Sequence, residues 1–448
     1  MRRILLLLAL ACGCGPSLVW TGRTPDRLHA VTVTRTSGLD FVAVDGQRRA
    51  AYRGIAGWSI ALARHHIAFA ARVDGRWVIV RDGHVEPERW DGIGALQFTD
   101  TGTLVCLVER AGGWHVVTNG VVGPRHDAIL AGTLRTSGSH VAYVAQQANR
   151  SRVIVDAVPQ ELFDGISQLV LRPDGRTAYV ARRGLDMHAV IDGHVGPARE
   201  RVSMVELGPR GRSAYAASFG DEARIVIDGE LGPAVDSIRL IRFSDDGTRV
   251  AWLGRLGTLD VLALDDKPVA AWPSRREPKF AFRPGTSSLA YVASTPNGER
   301  VIVDNVAGPI FDEVRTPVWG PNGVVYAALR AGKWIIVDGG RELDAGDAVG
   351  DPVVTSTRLA YGGRRGKSAY VAVDGKTFTF DLVFADTIAF SRDGRRWAAV
   401  VGDRTRERLY IVVDGRQRVP VDVHELYSSV ASGKDDALVA WTRAELER

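Results

Sequence analysis

Short apolar runs alternate with polar turns along almost the whole chain. A typical run covers residues 177–181, with Asp174 and Gly175 in the turn before it and Gly184 in the loop after it. Runs of about four to eight apolar residues bounded by Gly, Asp and Asn are typical of β-strands, and Asp-Gly between two runs predicts a tight hairpin. The pattern predicts an all-β protein.

One tripeptide pattern, apolar-Asp-Gly, recurs at a nearly fixed interval. We call its Asp or Asn the anchor; the anchors are Asp45, Asp82, Asn119, Asp156, Asp192, Asp228, Asp265, Asp304, Asp338, Asp374 and Asp414. Successive anchors are 34 to 40 residues apart, and most gaps are 36 or 37. In three copies Ala157, Asp266 or Asn305 replaces the glycine. The series predicts about eleven copies of one unit of roughly 37 residues.

Each copy predicts four strands. In one copy, residues 169–175 form a strand and its turn, 177–181 return from it, 188–193 form a third strand and turn, and a fourth begins at His194. Gly-Pro pairs that follow several anchors suit an edge strand, because proline cannot donate a hydrogen bond to a neighbour. Four short antiparallel strands at this spacing are typical of a propeller blade.

The elements Phe-Ser-Asp-Asp-Gly at 243–247 and Phe-Ser-Arg-Asp-Gly at 390–394, followed by Ala-Tyr-Val-Ala or a variant, resemble TolB-type and WD-type propeller repeats. The TolB type is closer, because the Trp-Asp and Gly-His pairs of WD repeats are not at the blade positions. The resemblance covers residues 31–442 and implies a β-propeller. Eleven blades exceed the usual four to eight, so two rings are expected, with one unusually wide ring as the alternative.

The repeat degrades around Asp266 and residues 272–278, which places the expected boundary between a first group of blades at 31–272 and a second at 273–448. The last copy predicts only two strands, at 427–431 and 438–441, and the first copy begins with a third strand at 41–46. The two ends would together complete one closing blade.

The N-terminus has the layout of a secretory signal peptide: Arg2 and Arg3, then the apolar run 4–10, then Ala11 and Cys12. Ala-Cys resembles the lipobox of bacterial lipoproteins, which implies a signal peptide at 1–12, a lipidated Cys12, and a tether at 13–30. The protein would then be exported and anchored by lipid in the periplasm or at the outer membrane. Secretion without a lipid and lipidation at Cys14 are the alternatives.

No catalytic, cofactor-binding or metal-binding residues are predicted, since no nucleophile elbow, phosphate-binding loop or zinc signature is found. A formal net charge of +5 over 448 residues does not indicate nucleic-acid binding. A second acidic residue recurs about eight residues after the anchor, at Asp91, Asp127, Asp164, Glu200, Asp236, Asp312 and Asp422. We interpret it as an acceptor for backbone N–H groups at the crossing between blades, and a cation-binding ring is the alternative.

Basic residues concentrate in the variable loops between second and third strands. The candidate binding residues are Arg182, Arg183, Arg364, Arg365, Lys367, Arg404, Arg406 and Arg408. These loops share one face of a blade, which predicts one basic face and one acid-rich face. The composition and loops favour a non-catalytic scaffold of the cell envelope that binds an acidic protein or an anionic polymer. Solvated loops without a partner, or a lyase or glycosidase with its site in the central channel, are the alternatives.

Overall fold

The computed structural model describes residues 17–24, 30–273, 279–391, 393–403 and 408–421. Contacts divide the chain into two compact units. The first contains Met1–Leu207 and Ser213–Gly220, and the second contains Gly208–Arg212 and Asp221–Arg448. Each is built of antiparallel β-sheet, and within the described residues the one helical element is the single 3-10 turn Gly57–Ser59.

The first unit contains five successive sheets and a further strand pair. Their strands are β1 (Ser17–Arg23), β2 (Ala30–Thr36), β3 (Leu39–Val44), β4 (Gln47–Tyr52); β5 (Ala61–Leu62), β6 (Ile67–Val73), β7 (Arg76–Arg81), β8 (His84–Val85); β9 (Gly92–Phe98), β10 (Leu104–Arg110), β11 (Gly113–Thr118), β12 (Val121–Val122); β13 (Ala128–Ile129), β14 (Arg135–Ser137), β15 (His140–Gln147), β16 (Arg150–Val155), β17 (Val158–Pro159); β18 (Gly165–Leu171), β19 (Thr177–Arg183), β20 (Asp186–Ile191), β21 (His194–Val195); and β22 (Arg201–Leu207), β23 (Ser213–Phe219).

The second unit begins with a strand pair and continues with the remaining sheets. Its strands are β24 (Glu222–Ile227), β25 (Glu230–Val235); β26 (Ser237–Phe243), β27 (Val250–Leu256), β28 (Leu259–Leu264), β29 (Lys267–Pro273); β30 (Phe280–Phe282), β31 (Leu289–Thr295), β32 (Gly298–Val303), β33 (Val306–Ala307); β34 (Glu313–Val314), β35 (Val318–Gly320), β36 (Gly323–Arg330), β37 (Lys333–Asp338), β38 (Arg341–Gly346); β39 (Ala348–Val349), β40 (Val353–Val354), β41 (Leu359–Arg365), β42 (Ser368–Val373), β43 (Lys376–Phe380); and β44 (Leu382–Phe390), β45 (Trp397–Asp403), β46 (Arg408–Val413), β47 (Arg416–Val421).

Each sheet is a four-stranded meander, whose strands we call a, b, c and d in chain order. In the β18–β21 blade, Ala178 on strand b pairs with Ile191 on strand c, and Val190 pairs with Val195 on the two-residue strand d. Where strand a is broken, as in β13 and β14, both pieces pair with the same strand b. The β34–β38 and β39–β43 sets are joined by one parallel bridge, Gly346 to Arg364. The predicted all-β propeller fold is confirmed.

The hydrophobic core lies between consecutive blades. In the first unit, one buried cluster combines Ala142, Val144 and Val153 of one blade with Tyr179 and Val190 of the next. Clusters of the same kind join the successive blades of the second unit. This packing follows from the near-continuous apolar b and c strands, which are covered on both sides and therefore show no polar alternation. The number of blades in a ring, and the choice between one ring and two, stay predictions.

The anchor occupies the turn between strands c and d. Asp192 has φ 50° and Gly193 has φ 80°, the left-handed pair that a type I′ turn requires. Asn119 adopts the same conformation with φ 49°, and Ala157 replaces the glycine at φ 67°. At Asp338 the turn is displaced by one residue, since Gly339 and Gly340 have the positive φ angles. The preference for Asp-Gly at the anchor therefore follows from the positive φ angles that the c–d turn requires.

The anchor carboxylate also ties this turn to the turn between strands a and b. One oxygen of Asp192 accepts the N–H of Thr177 at 2.9 Å, and the other accepts Nε of Arg176 at 2.7 Å. The backbone bond recurs at 2.9 to 3.0 Å in Asp82, Asp156, Asp265, Asp304, Asp374 and Asp414. The side-chain partner varies, as His66, His140, Arg212, Arg249, Ser288, Arg358 and Arg396. In each of these blades two hairpins are thus joined at one end, whereas one buried oxygen of Asp338, whose turn is displaced, has no hydrogen-bond partner among the described residues.

The closing blade was predicted to combine strands from both ends of the chain, and the structure describes only the N-terminal side of it. Strand β1 lies in the segment predicted to be a tether, and it pairs with β2, so that β1–β4 form a complete four-stranded sheet. The strands predicted at 427–431 and 438–441, and Cys12, lie outside the described residues. A blade shared by both ends therefore stays a prediction.

Asp192→Ala should lower the free energy of unfolding by about 1–3 kcal/mol, because it removes both acceptor oxygens and leaves the Thr177 N–H unpaired. Asp192→Asn should cost less, since Asn119 shows that an amide fits the turn. Urea denaturation of both variants measures the difference. An Asp192→Ala variant as stable as the wild type would show that the carboxylate does not brace the blade.

Candidate binding surface

Two faces can be distinguished on every blade. The turn face carries the a–b and c–d turns, with the anchors. The loop face carries the b–c turns and the crossings from strand d to the next strand a. Of the candidate residues, Arg182 and Arg183 end β19, Arg364 and Arg365 end β41, Lys367 follows them, and Arg408 begins β46. All six therefore lie at b–c turns, as predicted.

The recurring acidic residue of the crossing accepts a hydrogen bond from the b–c turn of the following blade. Asp164 accepts the N–H of Gly184 at 2.7 Å, and Asp236 accepts that of Gly257 at 2.7 Å. The same bond, at 2.8 to 3.2 Å, is made by Asp91, Asp127, Glu200 and Asp312. The architectural interpretation is confirmed for these residues; Asp422 lies outside the described residues. Asp347, which the sequence analysis missed, accepts the N–H of Gly366 at 2.6 Å.

Many arginines of the loop face are part of the architecture. The guanidinium of Arg183 lies 4.9 Å from the ring centre of Phe163 and forms an ion pair with Glu161. Arg110 makes the same two contacts with Trp90 and Glu88. Arg330 covers Phe311 at 4.6 Å and bonds to both oxygens of Glu342 at 2.8 Å. Such stacking stabilises the junction between blades and leaves little charge for a partner.

In one blade the two members of this contact are exchanged. Arg199 occupies the crossing position held by Phe163 elsewhere, and Phe219 occupies the strand-b end held by Arg183. The guanidinium of Arg199 again lies over the ring, at 4.7 Å. The contact is kept although its residues change places, which indicates that it serves packing.

The other candidate binding residues form two groups, those bonded to their own or a neighbouring blade and those without such bonds. Arg182 donates to the carbonyl oxygens of Gly184 and Asp164, at 2.9 and 3.3 Å. Arg365 donates to the carbonyl of Asp344 at 2.6 Å and lies over the ring of Tyr370 at 5.0 Å. These two arginines, like Arg183, are held by their own blade or its neighbour.

Arg364, Lys367 and Arg408 differ, and we call them the basic patch. All three side chains are exposed, and none makes a side-chain hydrogen bond or ion pair with another residue in the described part of the chain. They belong to the b–c turns of the consecutive β39–β43 and β44–β47 blades of the second unit. Arg404 and Arg406 stand between β45 and β46 in the sequence and lie outside the described residues.

The carboxylate of Asp347, which interacts electrostatically with Arg364, already has a cationic partner. Lys333 donates to Asp347 at 2.5 Å, and this bond, with the N–H of Gly366, holds the pKa of Asp347 below its usual range. Arg364 contributes only a smaller electrostatic effect to that shift. Asp347, whose carboxylate interacts electrostatically with Arg364, is thus bonded to lysine.

Both predicted faces, the basic loop face and the acid-rich turn face, contain paired charges, and the predicted difference in charge between them stays a prediction. Glu88, Glu161 and Glu342 pair with arginines on the loop face. On the turn face, Asp192 and Asp374 pair with Arg176 and Arg358, both at 2.7 Å. Acidic and basic residues therefore occur together on both faces, and many of them are paired within the repeat. Exposed cations that make no side-chain hydrogen bond or ion pair in the described residues include the basic patch on the loop face, and also Arg341 and Arg416 on the turn face.

One crossing position holds a histidine, His126, where Phe163 and Phe311 stand in other blades. Its Nε2 is 3.2 Å from the hydroxyl of Tyr143, and their rings meet edge to face. Burial, followed by the nearby His115 and Arg152, lowers the pKa of His126, and Asp127 opposes the shift weakly. His126 is therefore neutral when it packs against the next blade.

No group of three or more His, Cys, Asp and Glu side chains in the described residues could hold a metal ion. His66, one of the adjacent histidines, bonds to the anchor Asp82 at 2.8 Å and stacks on Phe98. Cys106 is buried, as expected for a small apolar residue, and its thiol pKa is raised chiefly by that burial. Among the described residues, no helix is long and apolar enough to cross a bilayer.

No protein-family model matches the sequence, and no curated protein matches it significantly. Three solved structures resemble the fold at 12% identity. They are a eukaryotic initiation factor, covering 79% of this chain and 95% of that one with TM-score 0.35; the propeller domain of the Trilobed protease from Pyrococcus furiosus, covering 66% and 95% with TM-score 0.27; and virginiamycin B lyase from Staphylococcus aureus, covering 53% and 92% with TM-score 0.26. Such values carry no argument about function.

His126→Phe should remove an acid-sensitive contribution to stability. The folded-state pKa of His126 lies below its unfolded value of about 6.5, so the wild type loses stability as pH falls through that value. Phenylalanine binds no proton and matches the equivalent Phe163. The melting temperatures of wild type and variant should diverge between pH 7 and pH 5 (roughly the range spanned by histidine titration), with the variant falling less. Parallel melting curves would contradict the assignment.

Proposed function

We propose that this protein is a non-catalytic propeller scaffold of the bacterial cell envelope that binds an anionic partner through the basic patch. The observation that carries the proposal is the contrast between Arg364 and its equivalent Arg182. Arg182 folds back onto the carbonyls of its own turn and crossing, whereas Arg364 is exposed and makes no such bond in the described residues.

The chemistry of the patch supports an acidic protein segment or an anionic envelope polymer as the partner. Two of its three members are arginines, whose planar guanidinium suits carboxylate and phosphate groups. Arg404 and Arg406 belong to the same turn as Arg408 in the sequence and would add to the charge. Because the scaffold carries the turns on paired strands, binding requires little ordering of the backbone.

Reversing the patch tests this function. R364E/K367E/R408E should elute from immobilised polyglutamate and polyphosphate at clearly lower salt than the wild type, because exposed charge contacts are screened by ions. The matched control is R341E/K376E/R416E. It changes the net charge equally, at exposed c–d turns of the β34–β38, β39–β43 and β44–β47 blades on the turn face. The control should lose much less retention. Equal losses would mean that only net charge matters and would refute a specific patch.

The envelope assignment is supported by the sequence of the N-terminal segment. Cys12→Ser should move the protein from the membrane fraction to the soluble fraction of fractionated bacterial cells, since a lipid chain on Cys12 would be its anchor. Cys14→Ser is the control and should stay with the membranes. Release by Cys14→Ser instead would relocate the lipidation site, and a wild type found in the cytoplasm would refute export.

A further inference from the structure

One position in or beside strand a holds a different residue in each blade of the first unit. It lies 24 residues before the anchor, and its residues are Thr21, Trp58, Ala95, Gly132, Gln168 and Met204. None of these residues is buried. Because glycine is sufficient in one blade, the fold does not require a large side chain at this position. Trp58 is therefore not explained by the architecture.

The backbone makes a β-bulge at this position in several blades. In the β18–β21 blade, Gln168 and Leu169 together oppose the single residue Tyr179 of strand b. Gln168 has φ 54°, outside the normal range of a strand. Bulges turn a side chain out of the regular alternation of a strand, and they are frequent beside functional sites.

Trp58 stands in the 3-10 turn Gly57–Ser59, and this turn is braced from within. The buried hydroxyl of Ser59 donates to the carbonyl of Ala56 at 2.7 Å and accepts the N–H of Ala70 at 3.0 Å. Trp58 itself is 65% exposed, although tryptophan is highly buried on average. The turn thus holds a large ring in solvent, where it can bind a ligand with little further ordering.

A second indole, that of Trp20 in the preceding blade, borders the same turn. A Cβ atom on Gly57 would lie 3.8 Å from the Cβ of Trp20 and 3.9 Å from its Cδ1. Trp20 is half-buried, so its ring supports the turn from the side of the first blade. The exposed ring of Trp58 therefore stands on a backbone that is fixed from two directions.

The same two positions of strand a are uncharged in all six blades. We call the residue pairs at 25 and 24 residues before the anchor the strand-a row; they are Trp20–Thr21, Gly57–Trp58, Gly94–Ala95, Ala131–Gly132, Ser167–Gln168 and Ser203–Met204. Consecutive members adjoin, since Oε1 of Gln168 accepts the N–H of Val205 in the next blade at 3.5 Å. A cation on the face of Trp58 would find no acidic partner in the row.

Polar groups of the row remain available to a ligand. The hydroxyl of Ser167 and the amide nitrogen of Gln168 make no hydrogen bond with another residue in the part of the chain that the structure describes. These groups donate and accept hydrogen bonds without carrying charge. Beside an exposed indole, they suit a ligand that combines hydroxyl groups with apolar C–H faces.

We propose that the strand-a row binds a neutral oligosaccharide, with one sugar ring stacked on the indole of Trp58. The C–H face of that sugar would cover the indole, and hydroxyl groups of sugars further along the chain would bond to Ser167 and Gln168. The row lies in the first unit and the basic patch in the second, so either proposal can fail alone.

Isothermal titration of the full chain with cellohexaose, maltohexaose and chitohexaose tests the ligand class. At least one of these neutral sugars should bind with a dissociation constant below about 1 mM. Hexagalacturonate, the charged counterpart, is titrated into R364E/K367E/R408E, which lacks the basic patch, and should bind at least about tenfold more weakly than that neutral sugar binds the same variant. Absence of binding by all three neutral sugars, or equal binding of hexagalacturonate, would overturn the proposal.

Variants of Trp58 test the stacking. Trp58→Ala should weaken the binding of the neutral sugar at least about tenfold, whereas Trp58→Phe, which keeps a ring, should lose no more than about threefold. Leu185→Ala is the control, because Leu185 is 95% exposed in the same unit but lies at a b–c turn outside the row. Its affinity should equal that of the wild type.

Because Trp58 is exposed, the melting temperature of Trp58→Ala should match that of the wild type, and Trp58→Gln replaces it if it does not fold. Undiminished affinity in the folded variant, or an equal loss in Leu185→Ala, would refute the site.

The length of the sugar tests whether the ligand follows the row. S167A/Q168A should weaken the binding of the hexasaccharide at least about threefold and leave that of the corresponding disaccharide unchanged, since only the longer ligand reaches from Trp58 to these residues. Alanine fits the bulge, because Ala111 adopts φ 50° in another turn. A double variant that binds the hexasaccharide as tightly as the wild type would contradict binding along the row.

Discussion

The anchor carboxylate is the interaction on which the blades depend. A tight c–d turn needs two residues with positive φ, which most side chains disfavour, and Asp tolerates this conformation while its oxygens remain available. In Asp192 those oxygens accept from Thr177 and Arg176 of the a–b turn. One residue therefore sets the turn, joins the two hairpins and compensates a cation. Loss of any copy would loosen two hairpins at once, which explains why the pattern recurs so regularly along the chain.

A second set of contacts performs the corresponding task at the other end of each blade. The crossing carboxylate fixes the b–c turn of the next blade, and an arginine stacked on an aromatic ring covers the junction. The exchange of Arg199 and Phe219 shows that the contact tolerates either order. An arginine-rich composition is thus required for the packing between blades. Only cations that make none of these contacts are available to bind a partner.

The periodic features were predictable from the sequence. The turns depend on local backbone preference, and the crossing acids recur at a fixed distance from the anchor, so both are visible without the fold. The partners of the arginines were not predictable, because Arg183 meets Glu161 and Phe163 only through the register of paired strands and the stacking of blades. For this reason the sequence did not show which arginines of the loop face already have acidic partners. Strand β1 was missed because its residues precede the first anchor. Asp347 stands nine residues after its anchor, as Asp91 does, so the spacing alone could have found it.

In a repeat of this kind, a binding site is best recognised by comparing equivalent positions. A residue that does what its counterparts do in other blades is explained by the architecture, however reactive its side chain. Arg364 stands out because Arg182 and Arg255 donate to the carbonyls of their own turns, whereas Arg364 makes no such bond in the described residues. Asp347, which interacts with it electrostatically, is bonded to Lys333. The same comparison supplies the controls, since each variant at a candidate site has a counterpart that tests the loss of architecture alone.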